Sequence, residues 1–560
     1  MNEELKTPRK WFPKKMTVLT VFLAILIVVV QIFRSEVVDL TQLGPDMLNA
    51  FSIMGSMLLF LCWLVWCFFF SPFRLLGRME LTAAVVAVPV LFFVFFQPQF
   101  GGSMNFRGLH YRFAPAQESV AFNSANGIAE MLDESVPFSF SGFLGNDRNS
   151  IVDGPELESD WTAHPPQLLW KRPVGAGWSG AAIANGFVVT IEQRGEKEAV
   201  TCYRLDDGNP VWDHSLNLRH EDPPGLGRQG PRSTPTIWQG MVFVQGATGT
   251  LMALQGETGE EVWKIDLCEL LKIGQNEKTS SAGFKYTYEK SRLAWGRAAS
   301  PLIVDDVVVI PGGYGDDDPA AGATLLAFDA VTGVLKWKSG NEMIAYGSPS
   351  LATVAGTEQI LLQAENQAMG FDAETGKVLW KHERQGISNG DANCIQVTYV
   401  DADHLLLSKG YGLGGELIHV SRDGENYSVK SVWQVPRVLR TKLSNPAVRN
   451  GYAWAISDGF IECTNLTDGS RVWKQRGSYG DGQLLLVGDW LVIQSEAGML
   501  QLVKATVETP EMSIQIPTVS GVCWNTLAIS GDRLIVRSDT EMACFQLPTR
   551  ATETKPGPAN

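Results

Sequence analysis

The sequence predicts an all-β protein, an eight-bladed β-propeller preceded by an N-terminal three-helix transmembrane anchor. Three observations predict this architecture: three apolar runs in the first hundred residues, a strand–turn–strand unit that recurs from about residue 165 onwards, and half a unit at each end of the repeated region. The chain has 560 residues, of which 45% are hydrophobic, and therefore exceeds the size of one ordinary core. We expect separate membrane and globular parts.

The apolar runs lie at about 16–33, 47–70 and 81–97, and we assign residues 1–100 to a membrane anchor with three transmembrane helices. Each run is close to the ~20 residues that a helix needs to cross a bilayer. Basic residues before the first run, and Arg74 and Arg78 after the second, predict a cytoplasmic N-terminus. Three crossings then predict a multi-pass protein of the cytoplasmic (inner) membrane, with its propeller on the extracytoplasmic side.

Two alternatives to this topology stay open. The first run could be a signal peptide, although no small-residue cleavage pattern follows it and two more apolar runs do. The third run contains Pro89 and could be re-entrant, which would leave the large domain in the cytoplasm. After the anchor we expect a linker at 101–160, the propeller at 161–550 and a disordered tail at 551–560.

The repeated unit is an apolar strand, a turn that ends in Gly, and a second strand with Trp four residues after that Gly. Glycine supplies the positive φ that a tight turn needs, and the alternating residues after it suit a half-buried strand. Five copies share this spacing, a sixth has extra turn residues, a seventh from Leu502 to Ile514 has Met512 or Ile514 in place of the Trp, and Trp170 begins the series without a preceding turn. The structural repeat residues are Trp170, Trp212, Trp263, Trp337, Trp380, Trp433 and Trp473.

The two ends of the repeated region predict how the ring closes. Residues 543–546 form the first strand of a unit whose second strand is missing, and Trp170 stands on a second strand whose first is missing. Together they complete one blade. The resulting eight units have about 48 residues each, the length of a four-stranded propeller blade.

Composition excludes several classes of function. A net charge of −14 argues against nucleic-acid binding, which needs a basic surface. The eight cysteines form no C-x-x-C or adjacent Cys-Cys pair, and the seven histidines form no H-x-H or H-E-x-x-H motif. We therefore predict no metal site and assign no catalytic residue.

The A-x-D-x-x-T-G-x-x-x-W units resemble those of the PQQ-like repeat propellers, the quinoprotein alcohol dehydrogenase-like superfamily. This superfamily includes quinone-dependent alcohol dehydrogenases and an outer-membrane assembly lipoprotein. The stretch from Trp161 to Ile183 looks like the membrane-anchored, planctomycete-type members. The dehydrogenases have a vicinal disulfide and a calcium cage beside their quinone, and this chain has no Cys-Cys pair. The resemblance thus implies the fold without fixing a cofactor, so no cofactor is predicted and PQQ with calcium stays an alternative.

Several polar and aromatic residues occur at a similar phase of the repeat, on strand-entry loops. Such loops gather around one mouth of a propeller channel, where they could bind a ligand. The simpler alternative is loop solvation and hydrogen bonding between blades. The ligand-binding candidates are Arg228, Arg232, Trp295, Arg297, Asp391 and Lys409.

The leading function is a non-catalytic scaffold on the extracytoplasmic surface that binds a protein or peptide. The alternative is a quinone (PQQ)-dependent oxidoreductase that acts on an alcohol or sugar. Both fit the fold, because a fold alone does not specify an activity. The expected partners are the lipid bilayer, through the N-terminal helices, and a protein or peptide. No nucleic acid is expected.

Overall fold

The computed structural model describes residues 14–33, 37, 40–41, 45–100, 106–113, 129–220, 230–273, 293–313, 322–386, 392–475, 477 and 479–550. The chain divides into two compact units, Met1–Ala116 and Gln117–Asn560. The tail predicted at 551–560 lies outside the described residues.

The first unit is built from apolar helices. They are α1 (Lys14–Ile32), α2 (Pro45–Val65), which continues into a π-helical turn (Trp66–Phe70), and α3 (Leu75–Phe95). The segments Met47–Phe70 and Leu75–Phe95 are long and apolar enough to cross a membrane, and Met16–Ile32 is a shorter apolar helix. These helices fit a membrane anchor. A hairpin of β1 (Phe96–Phe100) and β2 (Phe106–Tyr111) follows α3 directly.

Polar side chains join α1 to α2. Gln31 Nε2 donates a hydrogen bond to Asn49 Oδ1 at 2.9 Å, and Trp63 Nε1 donates to Thr20 Oγ1 at 3.0 Å. The pairs connect the end of α1 to the start of α2, and the start of α1 to the end of α2, so the two helices are antiparallel. Polar groups among apolar side chains gain by such pairing because they lack water as an alternative partner.

The second unit contains eight antiparallel sheets, which confirms the predicted eight-bladed propeller. Within each sheet the four blade strands follow one another in chain order, except in the last, which takes its outer strand from the start of the unit; the seventh sheet also gains a fifth strand from residues 151–152. Blades 1 to 4 are β5 (Ala182–Ala184), β6 (Phe187–Arg194), β7 (Lys197–Arg204) and β8 (Pro210–Leu216); β9 (Thr236–Trp238), β10 (Met241–Gln245), β11 (Thr250–Gln255) and β12 (Glu261–Asp266); β13 (Leu302–Val304), β14 (Val307–Gly313), β15 (Ala323–Asp329) and β16 (Leu335–Ser339); and β17 (Ser350–Val354), β18 (Thr357–Gln363), β19 (Gln367–Asp372) and β20 (Val378–Glu383). A short helix, α4 (Leu267–Leu270), follows β12.

Blades 5 to 8 repeat the same arrangement. They are β21 (Thr398–Tyr399), β22 (His404–Lys409), β23 (Gly414–Asp423) and β24 (Asn426–Val435); β25 (Ala447–Arg449), β26 (Tyr452–Ser457), β27 (Phe460–Asn465) and β28 (Arg471–Gln475); β29 (Gln483–Val487), β30 (Trp490–Gln494), β31 (Met499–Lys504) and β32 (Ile516–Pro517); and β33 (Ala528–Ser530), β34 (Arg533–Arg537), β35 (Glu541–Gln546) and β4 (Gln167–Pro173).

The repeat tryptophans join each blade to the next. Five of them donate their indole N–H to a backbone carbonyl in the following blade, at 2.7 to 2.9 Å: Trp170 to Leu205, Trp212 to Gly256, Trp263 to Ala330, Trp433 to Leu466 and Trp473 to Thr506. The acceptors lie at or after the turn that follows the third strand of that blade. The Trp and the turn therefore recur together because they form one contact between blades.

The ring closes in the last blade. Strand β4, from the start of the unit, pairs antiparallel with β35 near its end, and Trp170 lies opposite Cys544. This pairing is the closure that the two half units predict. It removes the sheet edges that an open row of blades would expose.

Hydrogen bonds also connect the segments that lead into the inner strands of neighbouring blades. The backbone N–H of Thr234 donates to Ser300 Oγ at 2.8 Å, and that of Ser300 donates to Ser348 Oγ at 2.9 Å. Gln396 N donates to Asn445 Oδ1 at 3.0 Å in the same way. Buried polar groups need such partners, so polar residues recur at the starts of the inner strands.

Residues 129–160, which the sequence analysis assigns to a linker, pack against the propeller. Phe140 forms a backbone bridge with Ile183 on the inner strand of blade 1. The buried Arg148 guanidinium donates to the carbonyls of Pro301 and Ser300, at 2.7 and 3.0 Å, beside blade 3. Strand β3 (Ile151–Val152) pairs in parallel with β29, the inner strand of blade 7. These partners surround the central channel, so the segment fills part of it.

Candidate functional site

The two faces of the propeller differ in what covers them. The turns after the first and third strands of each blade lie on one face, where Met131 O accepts a hydrogen bond from Asn185 Nδ2 at 3.0 Å. Glu134 accepts from the backbone N–H of Gln239 on the same face, at 2.9 Å. The opposite face, which we call the mouth face, is formed by the second turn of each blade and the connections between blades. Four of the candidate ligand-binding residues, Arg232, Trp295, Arg297 and Lys409, belong to the mouth face.

A cluster of aromatic and charged side chains lies on the mouth face where blades 8 and 1 meet. The rings of Trp178 and Trp524 stack with centroids 4.7 Å apart, and the Arg232 guanidinium lies 4.8 Å from the Trp178 ring centre. Trp524 Nε1 donates to Glu496 Oε1 at 3.1 Å. The cluster therefore combines apolar ring surface with a cation, and both are fixed by neighbours.

Contacts continue from this cluster around the mouth. Arg232 Nη1 donates to the carbonyl of Trp295 at 2.9 Å, and the Trp295 ring lies 5.5 Å from the ring of Tyr346. Trp524, Trp178, Arg232, Trp295 and Tyr346 stand on the connections that lead into blades 8, 1, 2, 3 and 4. We call these five residues the aromatic rim. Trp178 and Tyr346 are buried, whereas Arg232, Trp295 and Trp524 are half-buried and offer surface to a ligand.

The predicted ligand-binding residues do not all contribute to the rim. The structure brings Arg232 and Trp295 together, as described. Arg297 is buried, and its Nη1 donates to the carbonyl of Pro311 at 3.2 Å. Lys409 is also buried, and its Nζ donates to the carbonyl of Gln385 at 2.6 Å. Arg228 and Asp391 lie outside the described residues.

The burial of Arg297 and Lys409 has a common physical cause. A buried cation needs carbonyl or carboxylate partners to replace its water, and the carbonyls of adjoining strands and loops supply them. Repeat phase predicts that a residue lies near the mouth. It does not show whether the side chain points into solvent or back between the blades.

Cys394 stands on the connection into blade 5, among charged groups of the mouth. Burial raises the pKa of its thiol to about 12, although Lys409 and Arg232 act in the opposite direction. The thiol therefore stays protonated near neutral pH. A protonated thiol is a poor nucleophile, so Cys394 fits a packing role on this face.

Two buried glutamates on blade 1 occupy contrasting environments. Burial raises the pKa of Glu192, but Arg194, Arg537 and the Tyr203 hydroxyl outweigh it, so the pKa lies below its usual value. Glu198 accepts one hydrogen bond, from the backbone N–H of Ala247 at 3.0 Å, and burial raises its pKa to about 7. Glu192 is thus a paired structural anion, whereas Glu198 is partly protonated near neutral pH.

The described residues of the mouth do not fit a quinone held with calcium. A flat cofactor needs an open ring surface, but the stacked partners of Trp178 leave it only 4% exposed. The described residues contain no group of three or more His, Cys, Asp or Glu side chains placed to hold a metal ion. All eight cysteines are free thiols.

Repeat alignment could have found the rim residues that the sequence analysis missed. Trp178 and Trp524 stand four residues before their inner strands, the same position that the predicted Arg232 occupies before β9. That shared phase is visible in the sequence once the inner strands are located. Glu496 gives no such signal, because its role depends on a contact with the next blade.

Comparisons with known proteins agree with this architecture. The family model described as outer membrane protein assembly factor BamB matches residues 196–475, which is half of the chain. No curated protein sequence is significantly similar to the chain. Among solved structures, BamB from Moraxella catarrhalis is 15% identical, with 69% of this chain and 99% of that chain covered and a TM-score of 0.42.

Two dehydrogenases of known structure match the chain with similarly low identity and TM-score. The quinohemoprotein alcohol dehydrogenase from Comamonas testosteroni is 13% identical, with 75% of this chain and 82% of that chain covered and a TM-score of 0.39. A europium-containing methanol dehydrogenase is 10% identical, with coverages of 74% and 99% and a TM-score of 0.41. With the family match over half of its length, the chain belongs to the PQQ-like repeat β-propeller family that includes outer membrane protein assembly factor BamB.

Proposed function

We propose that the chain is a membrane-anchored scaffold whose propeller lies on the extracytoplasmic side and binds a protein or peptide at the mouth face. The observation that carries this proposal is the aromatic rim. Half-buried Trp and Arg side chains that are already fixed by neighbours lose little conformational entropy on binding, and they are the residue types that dominate protein interfaces.

Two further features support a binding role. The segment 129–160 fills part of the channel and contacts the opposite face, so we place the binding site on the mouth face. The matching family model carries the description of an assembly factor, a function that requires protein partners. The quinone-dependent alternative receives no such support, because the ring of Trp178 is covered and Arg297 and Lys409 are bonded to carbonyls.

Site-specific photocrosslinking in intact membranes tests the proposal. Tyr411, 39% exposed on the mouth face, would be replaced by a photoreactive phenylalanine. Val334, 61% exposed in the turn after the third strand of blade 3 and therefore on the opposite face, would serve as the control position. We expect a discrete protein adduct from position 411 and none from position 334. The double change Arg232→Ala and Trp524→Ala should remove the adduct while leaving the thermal transition of the propeller in place.

The same preparations separate the two functions. Titration with quinone and calcium should give no saturable change in absorbance for the full chain or the double variant. Saturable quinone binding together with dye reduction by an alcohol or sugar would refute the scaffold proposal. Equal adducts from positions 411 and 334 would show that the mouth face has no special role.

A further inference from the structure

A groove in the first unit lies beside the last turns of α3. Its volume is about 670 Å³, and it is lined by Val90, Phe93, Val94, Arg112 and Phe113. Val90, Phe93 and Val94 are 46 to 54% exposed, and Phe113 is 63% exposed. The wall of the groove is therefore an extended apolar surface on a helix that is long enough to cross a membrane.

The hairpin β1–β2 fixes Arg112 at one end of this surface. The backbone N–H of Arg112 donates to the carbonyl of Phe95, the last residue of α3, at 2.9 Å. The rings of Phe95 and Tyr111 pack against Phe113 at 6.0 and 5.7 Å. An aromatic cluster at the end of an apolar helix is typical of the boundary between hydrocarbon and headgroups.

The sequence around the groove is positively charged. Between Leu81 and Gln117 the sequence contains Arg107 and Arg112 but no Asp or Glu, although the whole chain has a net charge of −14. Within the described residues the exposed guanidinium of Arg112 forms no hydrogen bond or ion pair. An arginine at the boundary of a membrane extends its head toward phosphate oxygens while its stem stays among apolar groups.

We propose that the groove binds one anionic phospholipid, with its phosphate on Arg112 and an acyl chain against Val90, Phe93 and Val94. The occupant is a lipid rather than a soluble phosphate compound because the groove is apolar along its length and continuous with the membrane helix. The inference rests on the membrane anchor and is independent of what the propeller binds.

Native mass spectrometry of the full chain in mild detergent tests this proposal, with phosphatidylglycerol and phosphatidylcholine as probes. Both lipids carry a phosphate that could accept from Arg112, but the choline cation of phosphatidylcholine cancels the negative charge of its headgroup. We therefore expect the wild type to prefer phosphatidylglycerol about tenfold. Arg112→Gln should abolish the preference. Val94→Trp, which fills the groove and keeps the charge, should weaken the binding of both lipids.

Arg78→Gln is the matched control, because the Arg78 guanidinium is already bonded to the carbonyls of Phe73 and Phe69 at the other end of α3. It should keep the preference of the wild type. The proposal is overturned if Arg112→Gln keeps the preference or if Arg78→Gln loses it equally. Competition by soluble glycerol phosphate at the concentration of the lipid would also overturn it, by showing a phosphate site that needs no acyl chain.

Discussion

The indole of Trp263 lies directly against the Cα of Gly333 in the next blade. A methyl group added at Gly333 would lie 2.7 Å from the Cδ2 atom of the ring, and Gly333 has a φ of 70°. The same indole donates a hydrogen bond to Ala330 at 2.9 Å. The turn glycine thus has two roles, because it adopts a left-handed conformation and leaves space for the tryptophan.

Gly333→Ala should separate these two roles when it is compared with Gly356→Ala. Gly356 has a φ of 73°, but an added methyl there has no neighbour within 4 Å. Both changes should lower the free energy of unfolding by about 1–2 kcal/mol, because alanine is strained in the left-handed conformation. Only Gly333→Ala should lower it by about 1–3 kcal/mol more, because its methyl group overlaps the indole. Urea denaturation should show the larger loss for Gly333→Ala. Equal midpoints for the two variants would contradict the tryptophan contact.

Trp380 departs from the pattern of the five repeat tryptophans that bond to the next blade. Its indole N–H donates to Gln359 Oε1 within its own blade, at 2.7 Å. The next blade explains the difference: β23 and β24 are ten residues long there, so the turn that would supply a carbonyl is displaced. The extra turn residues are visible in the sequence, but the substitute partner Gln359 is not.

Trp380→Ala should lower the free energy of unfolding by about 3–5 kcal/mol, as expected for the loss of a buried aromatic side chain. Trp380 is only 4% exposed. Trp337, which is half-buried, provides the comparison, and Trp337→Ala should cost less. Calorimetry of the two variants measures the difference. A melting temperature that Trp380→Ala leaves unchanged would refute the packing role.

The sequence predicts the ring of blades better than it predicts the mouth. Turn glycines and tryptophans are local signals with a fixed spacing, and the half units at Trp170 and Ala543 specify how the ring closes. The orientation of the Arg297 and Lys409 side chains depends instead on the carbonyl groups of other strands and loops that accept their hydrogen bonds. The packing of Phe140 in the channel has no repeat signal either, because its segment occurs once.

Loss of the closing strand should remove cooperative unfolding. A chain that ends at Leu534 lacks β35, the strand that pairs with β4 through Cys544 and Trp170. A chain that ends at Arg550 retains the whole strand and is the control. We expect a broad, noncooperative thermal transition for the first and a sharp one for the second. A sharp transition in the chain ending at Leu534 would show that stability does not depend on closure.

The proposed topology can be measured with a membrane-impermeant maleimide on intact cells. Val334→Cys, on an exposed position of the propeller, should be labelled, because we place the propeller on the extracytoplasmic side. Arg74→Cys, in the connection between α2 and α3, should be labelled only after the cells are opened. Labelling of the unsubstituted chain measures the background from the native cysteines. The reverse pattern would place the propeller in the cytoplasm.

Glu198 should make the propeller less stable as the pH rises. Its folded pKa is about 7, above the usual value of 4.5, because burial disfavours the charged carboxylate. Below about pH 4.5 both the folded and unfolded states are protonated. Between that pH and 7 the unfolded state releases its proton first, which lowers stability by about 3 kcal/mol in total. Glu198→Gln should therefore stabilise the protein at pH 8 and leave it unchanged near pH 4.5.

Glu192→Gln is a control that should change the stability in the opposite direction. The folded pKa of Glu192 lies below its usual value: burial raises it, but the charges of Arg194 and Arg537 prevail. The carboxylate therefore contributes stability above the unfolded pKa, and that contribution is lost as the pH falls through the folded pKa. Removing it should destabilise the propeller at pH 8, where Glu198→Gln stabilises it. Thermal melts of both variants from pH 4.5 to 8 measure the change in melting temperature that each substitution causes. The same dependence of that change on pH for both variants would contradict the prediction, because the two carboxylates would then have the same protonation in the folded state.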